Sequence, residues 1–227
     1  MDQRNAPRPS QERPRSLADV ASDAIEEMII TRRLAPGAMV SENELAAELS
    51  IGRTPVREAL ARLEWIGFVA VHPRRGVQVS NVDVIRHLEL LEVRLPLETS
   101  MVRHAVERAT PKDIETLQSI TCELTEAAAE RNRDRYFLAK RSLHDAEVRA
   151  AYNHVLSLTM ANLHAQSRRF WFTYEPTESF PEAAACHSAI VGHIASRNAE
   201  AAVAAVADLF GLLERLTKRV LDRRPIS

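Results

Sequence analysis

Read for its hydrophobic and polar positions, the chain changes character near residue 80. From Leu17, apolar residues recur at Val20, Ala21, Ala24, Ile25, Met28 and Ile29, three and four apart, which predicts a helix ending before Pro36-Gly37. Ser41, followed three residues on by Glu44, has the form of a capping box, and Leu45 and Leu49 fall four apart, so a short second helix is predicted. After a tight turn, Thr54-Pro55 predicts a third, with Thr as N-cap, Pro at the first helical position and Val56, Leu60, Leu63 and Ile66 as the buried stripe. The period then drops to two. Residues 68–71 and 77–79, rich in β-branched side chains, predict two short strands joined by His72-Pro73-Arg74-Arg75-Gly76.

Beyond Ser80 the strand signal stops and helical patterns follow one another, with breaks near Pro111, Asn132, Tyr152-Asn153, Glu175-Pro176 and Arg197-Asn198. Thr110-Pro111 with Asp113 repeats the capping arrangement. The last helix, residues 198–221, carries Val203, Val206, Phe210, Leu213, Leu216 and Val220 as a stripe of the kind that lines an intrachain core. The fold class that follows is mainly α, an N-terminal winged helix-turn-helix over residues 17–80 and an all-helical antiparallel bundle over 81–221. Residues 1–16, rich in Pro, Arg and polar side chains, bury too little to offset ordering and are expected to form a disordered arm, with 222–227 as a short tail.

Charge sharpens the first half of this picture. With 30 Lys and Arg against 31 Asp and Glu the chain is close to neutral, so any attraction to nucleic acid must come from a local patch. Arg53, Arg57, Arg62, Arg74 and Arg75 supply one: two short helices, a turn and arginines at the start of the second describe a reading helix for the DNA major groove. A guanidinium fork can donate two hydrogen bonds to guanine O6 and N7. The wing tip sets Arg74 and Arg75 beside Gly76, where the backbone can come close to a phosphate or a minor groove. The two cysteines, Cys122 and Cys186, lack metal-finger spacing and read as reduced thiols. No apolar run approaches the ~20 residues that span a bilayer, and residues 1–16 lack a signal peptide's apolar region, so the expectation is a cytoplasmic protein with no membrane partner. No nucleophile motif or phosphate loop points to an enzyme.

The stretches GRTPVREALARLEWIGFV and PRRGVQV resemble the DNA-binding domain of the GntR family of bacterial transcription regulators. The resemblance implies major-groove contacts from Arg53, Thr54 and Arg57 and wing contacts from Arg75 and Gly76, with Arg62 and Arg74 as further cations nearby. Gly52 stands where a Ser often precedes the Arg, and Asn43 where some members carry a DNA-contacting Arg, which puts the operator rather than the binding in question. Double-stranded DNA with a palindromic operator is the implied partner, and a homodimer the expected state, because paired half-sites multiply the specificity of one short helix.

Downstream, LLEVRLPLETSMVRHAVERAT, FLAKRSLHDAEVRAAYNHVL, RRFW and CHSAIVGHIASRNAEAA resemble the FCD ligand-binding domain of the FadR-like branch. Many members of that branch hold a divalent metal through an Asp, a His four residues later and two further His, capped by a small carboxylate effector. Aligned on the motifs, this chain keeps His144 and His187 but has Lys140 for the Asp and Leu209 for the last His. Two imidazoles beside an ammonium are a poor site for zinc or nickel, so no cofactor is expected, with a metal on His144 and His187 as the alternative. In the sharper reading Lys140 has replaced the metal as a cationic anchor and, with Arg94, His144 and His187, and more weakly Asn153 and Trp171, binds a small organic acid directly. The function expected is an effector-controlled transcription regulator, a repressor if it follows the commoner arrangement. The alternatives are a metal-dependent regulator or a DNA-binding dimer whose pocket is degenerate.

Overall fold

The computed structural model describes residues 15–222, so nearly all of the expected arm and tail lies outside the described residues. The winged-helix part runs α1 (Leu17–Ile30), β1 (Met39–Val40), α2 (Glu42–Leu49), α3 (Arg53–Trp65), β2 (Val69–His72) and β3 (Gly76–Val79). The bundle runs α4 (Val84–Arg108), α5 (Pro111–Ala129), α6 (Arg133–Ala150), α7 (His154–Tyr174), a 3-10 turn at Thr177–Ser179, α8 (Phe180–Ala195) and α9 (Ala199–Asp222). Capping boxes start α1 (Ser16 with Asp19), α2 (Ser41 with Glu44) and α5 (Thr110 with Asp113), while Asn132 and Asn153 cap α6 and α7. Each break expected from the sequence coincides with one of these helix boundaries.

Three local expectations need correction. Gly52, not Thr54, is the N-cap of α3, which puts Pro55 at the third helical position, where its missing N–H still costs no intrahelical bond. In α1, Leu17 and Val20 are exposed, while Ala18 and Ile30 are buried beside the expected Ala21, Ile25, Met28 and Ile29. The sheet has a third strand, ordered β1-β3-β2, with Met39 opposite Gln78 and Val40 opposite Val77. Two residues are too few to show a period. This strand also explains Gly76: its φ is +104°, and a Cβ there would sit 2.9 Å from the Val40 carbonyl oxygen.

Two apolar cores result. Ile25 and Ile29 of α1 meet Leu45, Leu60, Leu63, Phe68 and Val77 in the first, where each fully buried aliphatic contributes roughly 1.5–3 kcal/mol. The second is the bundle interior, in which α9 packs on α4 and α8 and α5 packs on α6 and α8. Helix α7 belongs to both. Its Phe170 and Trp171 lie in the bundle core, Ala165 lies in the winged-helix core and Phe172 packs against each. Ion pairs reinforce the junction, Arg168 to Glu26 at 2.8 Å and Arg141 to Glu27 at 2.9 Å. No described helix is long and apolar enough to cross a membrane.

Candidate functional site

On the winged helix, Val56, Ala59, Leu60 and Leu63 turn α3 inward, which leaves Arg53, Thr54 and Arg57 exposed on its opposite side. Asn43 is exposed on α2, and Arg74 and Arg75 are exposed at the wing tip. Arg57 grips Glu42 of α2 through Nε and Nη2 at 2.8–3.1 Å, and its guanidinium lowers the Glu42 pKa. Such an exposed pair is weak and screened by salt, so it orients Arg57 without tying it down. Arg62 is held in the same way, in another exposed pair: it bonds Asp19 at the start of α1 at 2.5 Å and so links α3 to α1.

The bundle centre buries its charges. Arg94 donates to Glu98 Oε1 at 2.6 Å from Nη2 and to Ser167 Oγ at 2.7 Å from Nη1, and His164 Nε2 lies 2.8 Å from the same carboxylate oxygen. The His164 ring stacks on that of His144 at 4.2 Å, and the His187 ring stands 5.6 Å from that of His144. Burial alone would raise the Glu98 pKa, but the Arg94 guanidinium and the His164 ring hold it at about 2. Burial, with nearby cations adding to it, pushes His187 down to about 3 and His144 well below the ordinary histidine range, so both rings are neutral near pH 7. Burial, with the Glu98 charge adding to it, raises the Glu147 pKa well above the ordinary carboxylate value.

Arg94, His144 and His187 come together as expected and, with Leu209, line two adjoining cavities of about 10 Å³ each. Lys140 and Trp171 join them around the second. Lys140 is not the free anchor it was expected to be: its ammonium lies 3.3 Å from Glu175 Oε2, in a pair with both side chains buried, and 5.2 Å from the Tyr136 ring centroid. Asn153 is outside the group. It caps α7, its side chain accepting from the Leu156 N–H at 3.1 Å.

Residues 17–79 match bacterial regulatory proteins of the gntR family, and residues 89–211, more than half of the chain, match the FCD domain. The chain belongs to the GntR family, in its FCD-containing branch. It is 37% identical over 100 residues to the Nta operon transcriptional regulator of Aminobacter aminovorans, covering 44% of this chain and 48% of that one. It is 33% identical over 112 residues to the HTH-type transcriptional regulator McbR of Escherichia coli K12 (49% and 51% covered). To the HTH-type transcriptional repressor NanR of Cronobacter sakazakii it is 32% identical over 124 residues (45% and 47%). These matches span about half the length of the relatives. All three relatives are named as transcriptional regulators, not enzymes. The solved E. coli McbR/YncC structure shares the fold, with a TM-score of 0.81 at 21% identity over 92% of this chain and 100% of that chain. A GntR regulator from Rhodococcus sp. RHA1 does so at 0.71 and 21%, over 92% and 99%.

The metal that many FCD domains hold does not fit this chain's residues. Lys140, paired with Glu175, occupies the Asp position and the apolar Leu209 the last His position. The stacked rings of His144 and His164 cannot both aim an in-plane lone pair at one ion, and no described group of three or more His, Cys, Asp or Glu has metal-holding geometry. Sequence reasoning missed Glu98, His164, Ser167 and Glu175. Glu98 had a signal, four residues after Arg94 on the same helix face. Glu175 had none, since it follows α7 at a helix break and its burial depends on the packing of Arg133, Tyr136 and Lys140 around it.

Proposed function

We propose that this GntR-family chain acts as a homodimeric repressor of a palindromic operator, released when a small organic acid enters the bundle centre without a metal. The observation that carries the DNA half is the outward row of Arg53, Thr54 and Arg57 on α3, in the same winged unit as exposed Arg74 and Arg75. Arg53 and Arg57 read base edges, Thr54 and the wing arginines bind phosphate or the minor groove, and Asn43 flanks them.

The effector half rests on donors without partners. Among the described residues, His144 Nδ1, His187 Nδ1 and Trp171 Nε1 are buried with no hydrogen-bond partner; both histidines line the two cavities and Trp171 lines the second. A carboxylate accepting from Trp171 Nε1–H and from the two histidines in their Nδ1–H tautomer satisfies groups whose isolation is costly. Each cavity has room for about one water, so the acid enters by moving Leu209, which lines both. The consequence reaches DNA through α7. Arg168 lines the same cavity and pairs with Glu26 of α1, the helix against which α3 packs. Ligand-dependent displacement of α7 therefore moves α1 and the reading helix, with a coupling on the order of 1–3 kcal/mol.

The test is calorimetric titration of the full chain with a panel of small mono- and dicarboxylic acids, with and without the selected operator. At least one acid should bind and weaken operator affinity, and Arg94→Ala should abolish the response. A panel that leaves both measurements unmoved would remove the effector half. Near-stoichiometric zinc or nickel in protein purified without chelator or metal-affinity resin would overturn the metal-free reading.

A further inference from the structure

We propose that the seam between the winged helix and the bundle carries a second ligand site, for a small oxyanion, distinct from the bundle centre. A cavity of about 60 Å³ lies there, lined by Phe68 of the winged helix, Asp83, Arg86 and His87 at the start of α4, and Gln166 and Arg169 of α7. One water needs ~10–15 Å³, so the space suits a group of several heavy atoms.

Two of its lining residues carry a buried polar atom with no partner among the described residues, His87 Nε2 and Arg169 Nε. Their residues are only 4% and 6% exposed, so solvent does not satisfy them. The His87 ring cannot turn to find another partner: it stacks on Phe170 at 3.7 Å with 4° between planes and meets Trp171 edge-on at 5.2 Å. Arg169 donates through Nη2 to the Ser80 carbonyl oxygen, and its guanidinium lies 5.1 Å from the Phe68 ring centroid. No described carboxylate pairs with it, and burial lowers its pKa to about 10. At the mouth, the Arg86 guanidinium lies against Gly67, where a Cβ would be 3.2 Å from Nη2. The one acid among the described lining residues, Asp83, caps α4, accepting from the Arg86 N–H at 3.0 Å, and its charge is outnumbered by those of Arg86 and Arg169.

The lining therefore holds two guanidiniums against one carboxylate, together with two buried polar atoms whose hydrogen-bonding capacity is unused among the described residues. A carboxylate or inorganic phosphate accepts from Arg169 Nε–H and His87 Nε2–H, the ring being in the tautomer that carries its proton there, while Arg86 closes over it. Its oxygens then tie together the turn after α3, the start of α4 and the middle of α7, fixing one position of the winged helix on the bundle.

The experiment uses the full chain at constant ionic strength, with acetate and inorganic phosphate as separate probes and chloride as reference. It follows the thermal midpoint and the ¹H–¹³C imidazole signals, that of His87 being assigned by its loss in His87→Phe. A saturable rise in midpoint with acetate or with phosphate, together with a shift of the His87 signal, is the expected result; which probe acts tells carboxylate from tetrahedral oxyanion. Arg169→Gln and Arg86→Gln should each weaken it by about tenfold or more. Arg86→Gln is the decisive variant, since Arg86 is exposed and its loss spares the Arg169–Ser80 contact. His144→Ala, in the bundle centre, should change the affinity by less than about twofold. Neither anion exceeding chloride, undiminished affinity in Arg86→Gln, or loss of the response in His144→Ala would each overturn the site, and the first two would leave the bundle-centre reading standing.

Discussion

In the winged helix, Arg53, Arg57, Arg74 and Arg75 stand in water, and the one carboxylate that Arg57 meets, Glu42, is half-buried at the surface. In the bundle, Arg94 and Lys140 are buried and each faces a buried carboxylate, Glu98 and Glu175. The contrast separates two uses of charge. Exposed arginines keep their hydration and exchange a weak internal partner for a phosphate or base edge at little cost. Buried cations must be compensated before any ligand arrives, so a ligand in the bundle competes with resident carboxylates and depends on donors that remain unpaired.

Removing the acid from each pair is the strongest way to break the comparison. Glu98→Ala leaves Arg94 buried and uncompensated and should cost about 3–5 kcal/mol by chemical denaturation, whereas Glu42→Ala should leave the denaturation midpoint unchanged. Equal effects would erase the distinction.

Acid titration should separate the regions next. His87, His144, His164 and His187 all have their pKa lowered, chiefly by burial, below the ordinary 6.5. The unfolded chain therefore binds more protons than the folded one as pH falls from 6.5 toward 3, and stability drops through that window. Glu26 and Glu147, raised by burial, act in the opposite sense above pH 4.5, but are two against four. Denaturation midpoints that fall between pH 7.5 and pH 5.5 are expected, and a flat profile would mean the rings are not buried neutral.

Arg57→Ala should lower operator affinity roughly ten- to a hundredfold and relax base choice while the denaturation midpoint stays in place. Smallest is Thr110→Ala, which removes the cap of α5 and should cost about 1 kcal/mol. That variant calibrates the others, since it touches neither DNA surface nor bundle centre.

The same contrast explains what could be read from the chain. Capping boxes at Ser41 and Thr110, the stripe of α3 and the Arg74-Arg75 tip are local patterns, spaced by the period of the element that carries them. The bundle centre is assembled from α4, α6, α7, α8, α9 and the residue after α7, with partners such as Arg94 and Ser167 far apart in sequence. Its residue types were visible but its pairings were not. Lys140 looked available because nothing near it in the chain foretold Glu175, and Asn153 looked like a pocket residue although its place before a helix already suited a cap. The strand β1 escaped because it is recognised only by its pairing with β3.

Reading of DNA by the exposed arginines of α3, under control of the bundle, can be tested by selecting duplexes from a random pool with the pure protein and with Arg57→Ala in parallel. The wild type should enrich a two-fold symmetric site, a bound organic acid should lower its retention, and Arg57→Ala should fail to enrich that site. No enriched duplex, or the same site recovered undiminished by Arg57→Ala, would contradict it.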